Sequence, residues 1–161
     1  MSEHKISLAV FPGTFDPITR GHLDIIRRGA ALFDELVVGV GDNPEKRSFL
    51  PADRRAEIVR QTVADLPNVR VETYSGLTVD LARRLGATVL IRGIRSSADL
   101  HFELQVAHTN RMVTGVETLF ILPAPEFAFV SSGLVRQIAG GGGDISALVP
   151  PEVLPHLPPR R

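Results

Sequence analysis

The chain has 161 residues, 43% of them apolar and 22% charged, which suits one domain with a sizeable core and is too short for two comfortable ones. Its 18 Lys and Arg balance 18 Asp and Glu, so no overall field draws it to nucleic acid or to an anionic membrane. Cysteine is absent, which excludes disulfides and thiolate metal sites, and no apolar run is long enough for a signal peptide or a membrane span, so a cytoplasmic protein is the expectation.

Residues 6–11 (ISLAVF) are a continuous apolar run, the pattern of a strand buried on both faces. Leu23, Ile25, Ile26, Ala30 and Phe33 recur at roughly helical spacing and predict a helix within 18–33. Residues 36–40 (LVVGV) repeat the buried-strand pattern, and 51–66 reads as a helix with Pro and Asp in its first turns. The alternating run 69–74 (VRVETY) predicts a third strand, 78–85 a helix closed by Gly86, and 88–91 a fourth strand. A long helix over 98–114, a fifth strand over 117–122 and a short helix over 131–139 ending at four glycines complete the pattern. The order β-α-β-α-β-α-β with right-handed crossovers implies a single α/β domain over 1–161: a Rossmann-like, doubly wound, five-stranded parallel sheet with helices on both faces. The Pro-rich tail over 144–161 is expected to hold at most a turn or two of helix.

Open α/β sheets bind ligands beyond the carboxyl ends of their strands. The unusual residues cluster there: Gly13, Thr14, Asp16, Thr19, Gly21 and His22 after the first strand, and Asp42, Asn43 and Lys46 after the second. Ser75 to Thr78 follow the third strand, Arg92, Gly93 and Arg95 the fourth, and Pro123 to Phe129 with Ser131 and Ser132 the fifth. Donors and cations converge with few carboxylates near the mouth, which describes a pocket for a polyanion. A helix start at Gly21-His22 offers free N–H groups to phosphate oxygens, and arginine forks suit phosphate. Taken singly, Gly13 and Gly21 also fit ordinary turns, His22 a surface or capping histidine, and Lys46 a solvated lysine. By the same measure Arg92 and Arg95 fit surface ion pairs, and Ser131 and Ser132 a helix cap. Neither a Walker loop nor GxGxxG is present.

Four separated segments carry a resemblance: FPGTFDPITRGH (11–22), LIRGIR (90–95), ADLHFELQVAHTNR (98–111) and FAFVSSGLVR (127–136). The first resembles the T/HxGH signature and the last the ISSTxxR signature of the nucleotidyltransferase superfamily. Together, in order and spacing, they resemble the bacterial phosphopantetheine adenylyltransferase family. The resemblance implies transfer of the adenylyl group of ATP to 4′-phosphopantetheine, giving dephospho-coenzyme A and pyrophosphate, with Mg²⁺ held through ATP and water rather than directly by the protein. It implies that His22 stabilises the transition state, and counts Lys46 and Arg95 with it as catalytic. The ATP site it implies comprises Thr14, Phe15, His22, Gly93, Ile94, Arg95, Glu103, Phe127, Ala128, Phe129, Val130, Ser131, Ser132 and Gly133. The acceptor site it implies comprises Thr14, Lys46, Leu77, Thr78 and Arg92. It also implies a homohexamer, with the 98–114 helix as a contact surface, and leaves inhibition by coenzyme A open; neither nucleic acid nor membrane is among the expected partners. The chain departs from the family pattern at Phe11, Thr78, Leu100 to Phe102, Phe127, Gly133 and Arg136. Two other readings stand beside this one. One is a nucleotidyltransferase acting on another phosphate acceptor, such as nicotinamide mononucleotide. The other is a non-catalytic nucleotide-binding protein on the same fold.

Overall fold

The computed structural model describes residues 7–157, so Ile6 of the first predicted strand and residues 158–161 of the tail lie outside the described residues. Five strands form one parallel sheet: β1 (Leu8–Gly13), β2 (Glu35–Gly41), β3 (Val69–Tyr74), β4 (Val89–Gly93) and β5 (Glu117–Ile121). Between them run α1 (Arg20–Leu32), α2 (Ala52–Thr62), α3 (Thr78–Leu85) and α4 (Ser97–Thr114), and α5 (Ser132–Gly140) follows β5. Helix α2 stops at Thr62 rather than at 66. The cause is local, since Pro67 disfavours helical backbone at the residue before it and the chain turns there with Leu66 N–H on Val63 C=O.

The strand order is β3-β2-β1-β4-β5. The apolar runs are continuous because both faces are covered, and their residues divide strictly by parity. Ala9, Phe11, Leu36, Val38, Val40, Val89 and Ile91 join one core cluster, which α1, α2 and α5 also enter. Val10, Val37 and Leu90 join the other, under α3. Both faces of β1 and β2 are therefore dry.

The tail is part of the core. Ile145, Val149 and Val153 are buried in the larger cluster, and a 3₁₀ turn at Pro151–His156 lies against α2. Arg20 N–H, at the first residue of α1, donates to Leu148 C=O at 2.9 Å, so the tail also holds the start of α1. Gly93 has a packing reason as well as a place at the end of β4. A Cβ there would lie 2.5 Å from Ile25 Cδ1, so glycine lets α1 seat against β4. Among the described residues no helix is long and apolar enough to cross a membrane.

Candidate active site

The sheet order reverses at β1 and β4, and there a cleft of about 520 Å³ opens at the carboxyl ends of the strands. It continues into a second lobe of about 270 Å³ toward β2 and β3, and Gly13, Thr14, Lys46, Ser48 and Arg92 line both. A two-lobed cleft with cations at its junction suits two anionic reactants.

His22 occupies the third position of α1, where its side chain closes a reciprocal cap. Thr19 N–H donates to His22 Nδ1 at 3.0 Å, while His22 N–H donates to Thr19 Oγ1 at 3.3 Å. Because Nδ1 accepts, the ring proton of the neutral imidazole sits on Nε2. Phe15 packs edge-on to the ring at 5.0 Å, and Phe11 lies 6.4 Å away. Loss of solvent around the ring lowers its pKa, and Arg95 and then Arg92 lower it further, from 6.5 to about 4. At neutral pH His22 is therefore an uncharged donor. Between pH 6.5 and 4 the unfolded chain holds this proton and the native state does not, so the contribution to stability falls as pH drops through that window. An NMR titration is expected to find the His22 midpoint near 4 in the free protein and higher with a triphosphate bound, since the anion offsets the arginines. A free-protein midpoint near 6.5 would show that the ring is solvated.

Phe15 has φ 49°, a left-handed conformation that disfavours a bulky side chain by about 1–3 kcal/mol. Burial of its ring beside Phe11 and His22 holds it there, and this conformation turns the chain sharply between Thr14 and Asp16.

Arg92 leaves β4 with its fork on Glu103: Nε donates at 2.9 Å and Nη2 at 2.6 Å, and Nη1 donates to Pro12 C=O at 3.0 Å. The guanidinium is aimed from two directions yet keeps 35% of its side chain open. Both oxygens of Glu103 are thereby committed to Arg92, although the residue also lines the cleft. Arg95 Nη1 donates to Val130 C=O at 3.2 Å, and its Nε faces Asp99 Oδ2 at 3.4 Å. This ties the β4 loop to the segment before α5. So the ion pairs are real, and both arginines line the cleft as well.

At α5, Ser131 Oγ accepts Leu134 N–H at 3.1 Å as the N-cap. Ser132 Oγ donates to Pro17 C=O at 2.7 Å, and Arg136 Nη1 donates to Asp16 C=O at 2.7 Å. These two side chains fasten the second signature to the first.

Of the residues proposed from sequence, Thr14, Phe15, His22, Lys46, Arg92, Gly93, Arg95, Glu103, Phe127, Val130, Ser131, Ser132 and Gly133 line the cleft. Five do not. Ile94 is core, and its N–H donates to Ile121 C=O. Ala128 lies beside the lining, and the Phe129 side chain is 88% exposed. Leu77 is exposed at the N-cap of α3, and the Thr78 hydroxyl meets the Tyr74 hydroxyl at 2.8 Å, with Tyr74 and Gly76 lining the second lobe instead.

Sequence reasoning missed Arg55. It is 1% exposed, and its guanidinium holds the carbonyls of Thr14 and Gly41 at strand ends and that of Leu50 before α2. A signal was present, because Arg55 stands three and four residues before Ile58 and Val59, on the buried stripe of α2. Phe11, Arg47, Ser48 and Asp99 also line the cleft without having been proposed for it.

The chain matches the cytidylyltransferase-like family over residues 10–138. It is 46% identical over 145 residues to the phosphopantetheine adenylyltransferase of Flavobacterium psychrophilum, which covers 90% of this chain and 96% of that protein. It is 48% identical over 147 residues to the protein of that name from Ralstonia pickettii (91% and 88%), and 48% identical over 152 residues to that from a Nocardioides species (94% and 96%). Among solved structures, a candidate nicotinate-nucleotide adenylyltransferase from Vibrio parahaemolyticus superposes with a TM-score of 0.69 over 92% of both chains at 19% identity, a likeness of fold. The chain therefore belongs to the cytidylyltransferase-like family and, within it, to the phosphopantetheine adenylyltransferases.

Proposed function

We infer that the protein transfers the adenylyl group of ATP to 4′-phosphopantetheine, releasing pyrophosphate and forming dephospho-coenzyme A, a step of coenzyme A synthesis. The observation that carries this reading is the gathering of His22, Lys46, Arg92 and Arg95 on one two-lobed cleft in a chain of this family.

An oxygen of the acceptor phosphate attacks the α-phosphorus of ATP. A new P–O bond forms, the bond from the α-phosphorus to the bridging oxygen of the β-phosphate breaks, and the electron pair leaves with pyrophosphate. The attacking oxygen is already anionic, so no protein base is needed. The protein's task is to hold two polyanions in line and to favour the charge spread over the pentavalent phosphorus. Lys46 and Arg92, shared by both lobes, bind the acceptor phosphate. Arg95 and the start of α5 hold the triphosphate, and the Nε2–H of His22 donates to the oxygens that gain charge. A neutral donor suits that role, because its proton stays with the protein throughout.

Mg²⁺, held through the nucleotide and water rather than by the protein, would supply neutralisation of phosphate charge. The cleft carboxylates fit that mode rather than a protein cage: Asp16 accepts Phe49 and Leu50 N–H, Glu103 faces Arg92, and Asp99 faces Arg95. The protein also self-associates, as a hexamer, in the cytoplasm. What supports self-association is α4, on which Glu103 alone is buried while Phe102, Met112 and Val113 are exposed.

Pyrophosphate release from ATP, measured with and without phosphopantetheine, tests the reading. Release that depends on phosphopantetheine is expected; ATP binding with no release under either condition would overturn it.

A further inference from the structure

We propose that Asp16 and Arg55 are positioning residues that set the loop carrying Lys46 against the loop carrying Thr14, and so fix the phosphate-acceptor side of the cleft. This rests on the acceptor role given to Lys46 above.

Lys46 lies in an exposed loop between Gly41, the end of β2, and Leu50. A flexible four-carbon ammonium on such a loop aims poorly unless the loop itself is held. Two charged side chains hold it, and both are almost fully buried: Asp16 is 4% exposed and Arg55 1%. Asp16 Oδ2 accepts Phe49 N–H at 2.7 Å and its Oδ1 accepts Leu50 N–H at 2.8 Å. Arg55 Nε donates to Leu50 C=O at 2.9 Å, and its Nη1 donates to Gly41 C=O at 2.8 Å and Thr14 C=O at 2.6 Å.

Leu50 is thus gripped at its N–H by a carboxylate from the first loop and at its C=O by a guanidinium from α2. The same guanidinium holds the other end of the Lys46 loop at Gly41, and it holds Thr14. One rigid cation therefore sets the distance between the two ends of the Lys46 loop and their distance from Thr14. Charge-assisted bonds to main chain suit this, because the main chain is what must be placed. Within the loop, Asn43 Oδ1 accepts Glu45 N–H and Asn43 C=O accepts Lys46 N–H, both at 3.0 Å, which carries the fixed geometry from Gly41 to Lys46. Arg55 does not line the cleft, so it acts through the groups it holds.

The test is a double-mutant cycle of Asp16→Asn with Lys46→Ala, read both by initial rates and by binding of inorganic phosphate, with thermal unfolding of each variant. Asp16→Asn keeps the size of the side chain but presents an amide to a backbone N–H. It is expected to raise KM for phosphopantetheine about tenfold and to leave KM for ATP within about twofold. In the Lys46→Ala background the same change is expected to add less than about twofold, in KM and in phosphate affinity alike. Arg55→Lys, which keeps the charge but not the fork, is expected to show the same coupling and serves if Asp16→Asn does not fold. Equal effects in both backgrounds, an equal loss for ATP, or failure of both variants to fold would overturn the proposal by leaving the two residues a structural role alone. The phosphate-binding arm needs no turnover. A wild-type protein that binds phosphate through Lys46 but does not adenylylate phosphopantetheine would sink the functional reading and leave this one to stand or fall on the cycle.

Discussion

His22→Ala is expected to lower kcat by about 10²–10³-fold while KM for ATP and for phosphopantetheine stays within about threefold. The asymmetry follows from where the imidazole acts. In the proposed ground state the phosphate chains have other partners in Lys46, Arg92, Arg95 and the start of α5, all of which line the cleft. The Nε2–H gains strength only as charge builds on the oxygens around the attacked phosphorus, so its loss falls on the transition state. Two features of this chain sharpen the effect. The ring is fixed by the Thr19 N–H, so the donor pays little to orient, and it is neutral down to about pH 4, so it does not simply add a third charge beside the arginines. The variant also loses half of a helix cap, which costs about 1 kcal/mol of stability. His22→Gln separates the two roles. A glutamine at this position can accept the Thr19 N–H, so it restores the melting temperature and leaves turnover low. If His22→Ala instead abolished ATP binding while the bound complex turned over normally, the role given to the ring would be wrong.

Arg92→Ala is expected to raise KM for phosphopantetheine about 100-fold, with a much smaller change in KM for ATP. The guanidinium stands at the junction of the two lobes and is oriented by Glu103 and by Pro12 C=O before any ligand arrives. Its removal takes away a cation and leaves the Glu103 carboxylate, 11% exposed, without that partner and facing the site. The residual carboxylate repels an incoming phosphate, so the variant loses an attraction and gains a repulsion. Arg92→Ala combined with Glu103→Gln removes the repulsion and is expected to recover part of the lost affinity. Steady-state kinetics with each substrate varied in turn distinguishes these outcomes. An equal rise in both KM values would mean that Arg92 serves the whole cleft rather than its acceptor side.

The strands and helices were legible because each rests on local pattern. Continuous apolar runs at residues 36–40 and 89–91 need cover on both sides, and the parity split of Leu36, Val38 and Val40 from Val37 is that requirement met in three dimensions. Thr19-Arg20-Gly21-His22 marked a helix start near a strand end, and a parallel sheet must gather such strand ends on one edge. That is why His22 could be grouped from sequence with Arg92 and Arg95, about 70 residues further along the chain.

Other features were not legible because they depend on which atoms meet after folding. Glu103 enters the sequence reading only as an ATP-site residue implied by the resemblance, and only the docking of α4 beside β4 shows its carboxylate on Arg92. Ser132 reads as an ATP-site residue, yet in the fold its hydroxyl also holds the Pro17 carbonyl, and Arg136 holds that of Asp16. Gly93 reads as an ATP-site residue and does line the cleft, but its contact with Ile25, which leaves no room for a Cβ, could not be read from sequence. The tail reads as Pro-rich irregular chain, and its isolated Ile145, Val149 and Val153 show no period that would reveal them as core.

By itself, then, the amino-acid sequence determined the order of elements, the parallel sheet and the edge on which cations and donors would collect, since hydrophobic period, turn residues and strand direction are properties of short segments. Only the tertiary structure decided how those groups are aimed: the tautomer of His22, the fork of Arg92 on Glu103, and the two buried charges, Asp16 and Arg55, that hold the Lys46 loop. Aim depends on hydrogen bonds between atoms that are distant along the chain, and no local pattern encodes the partner at the other end.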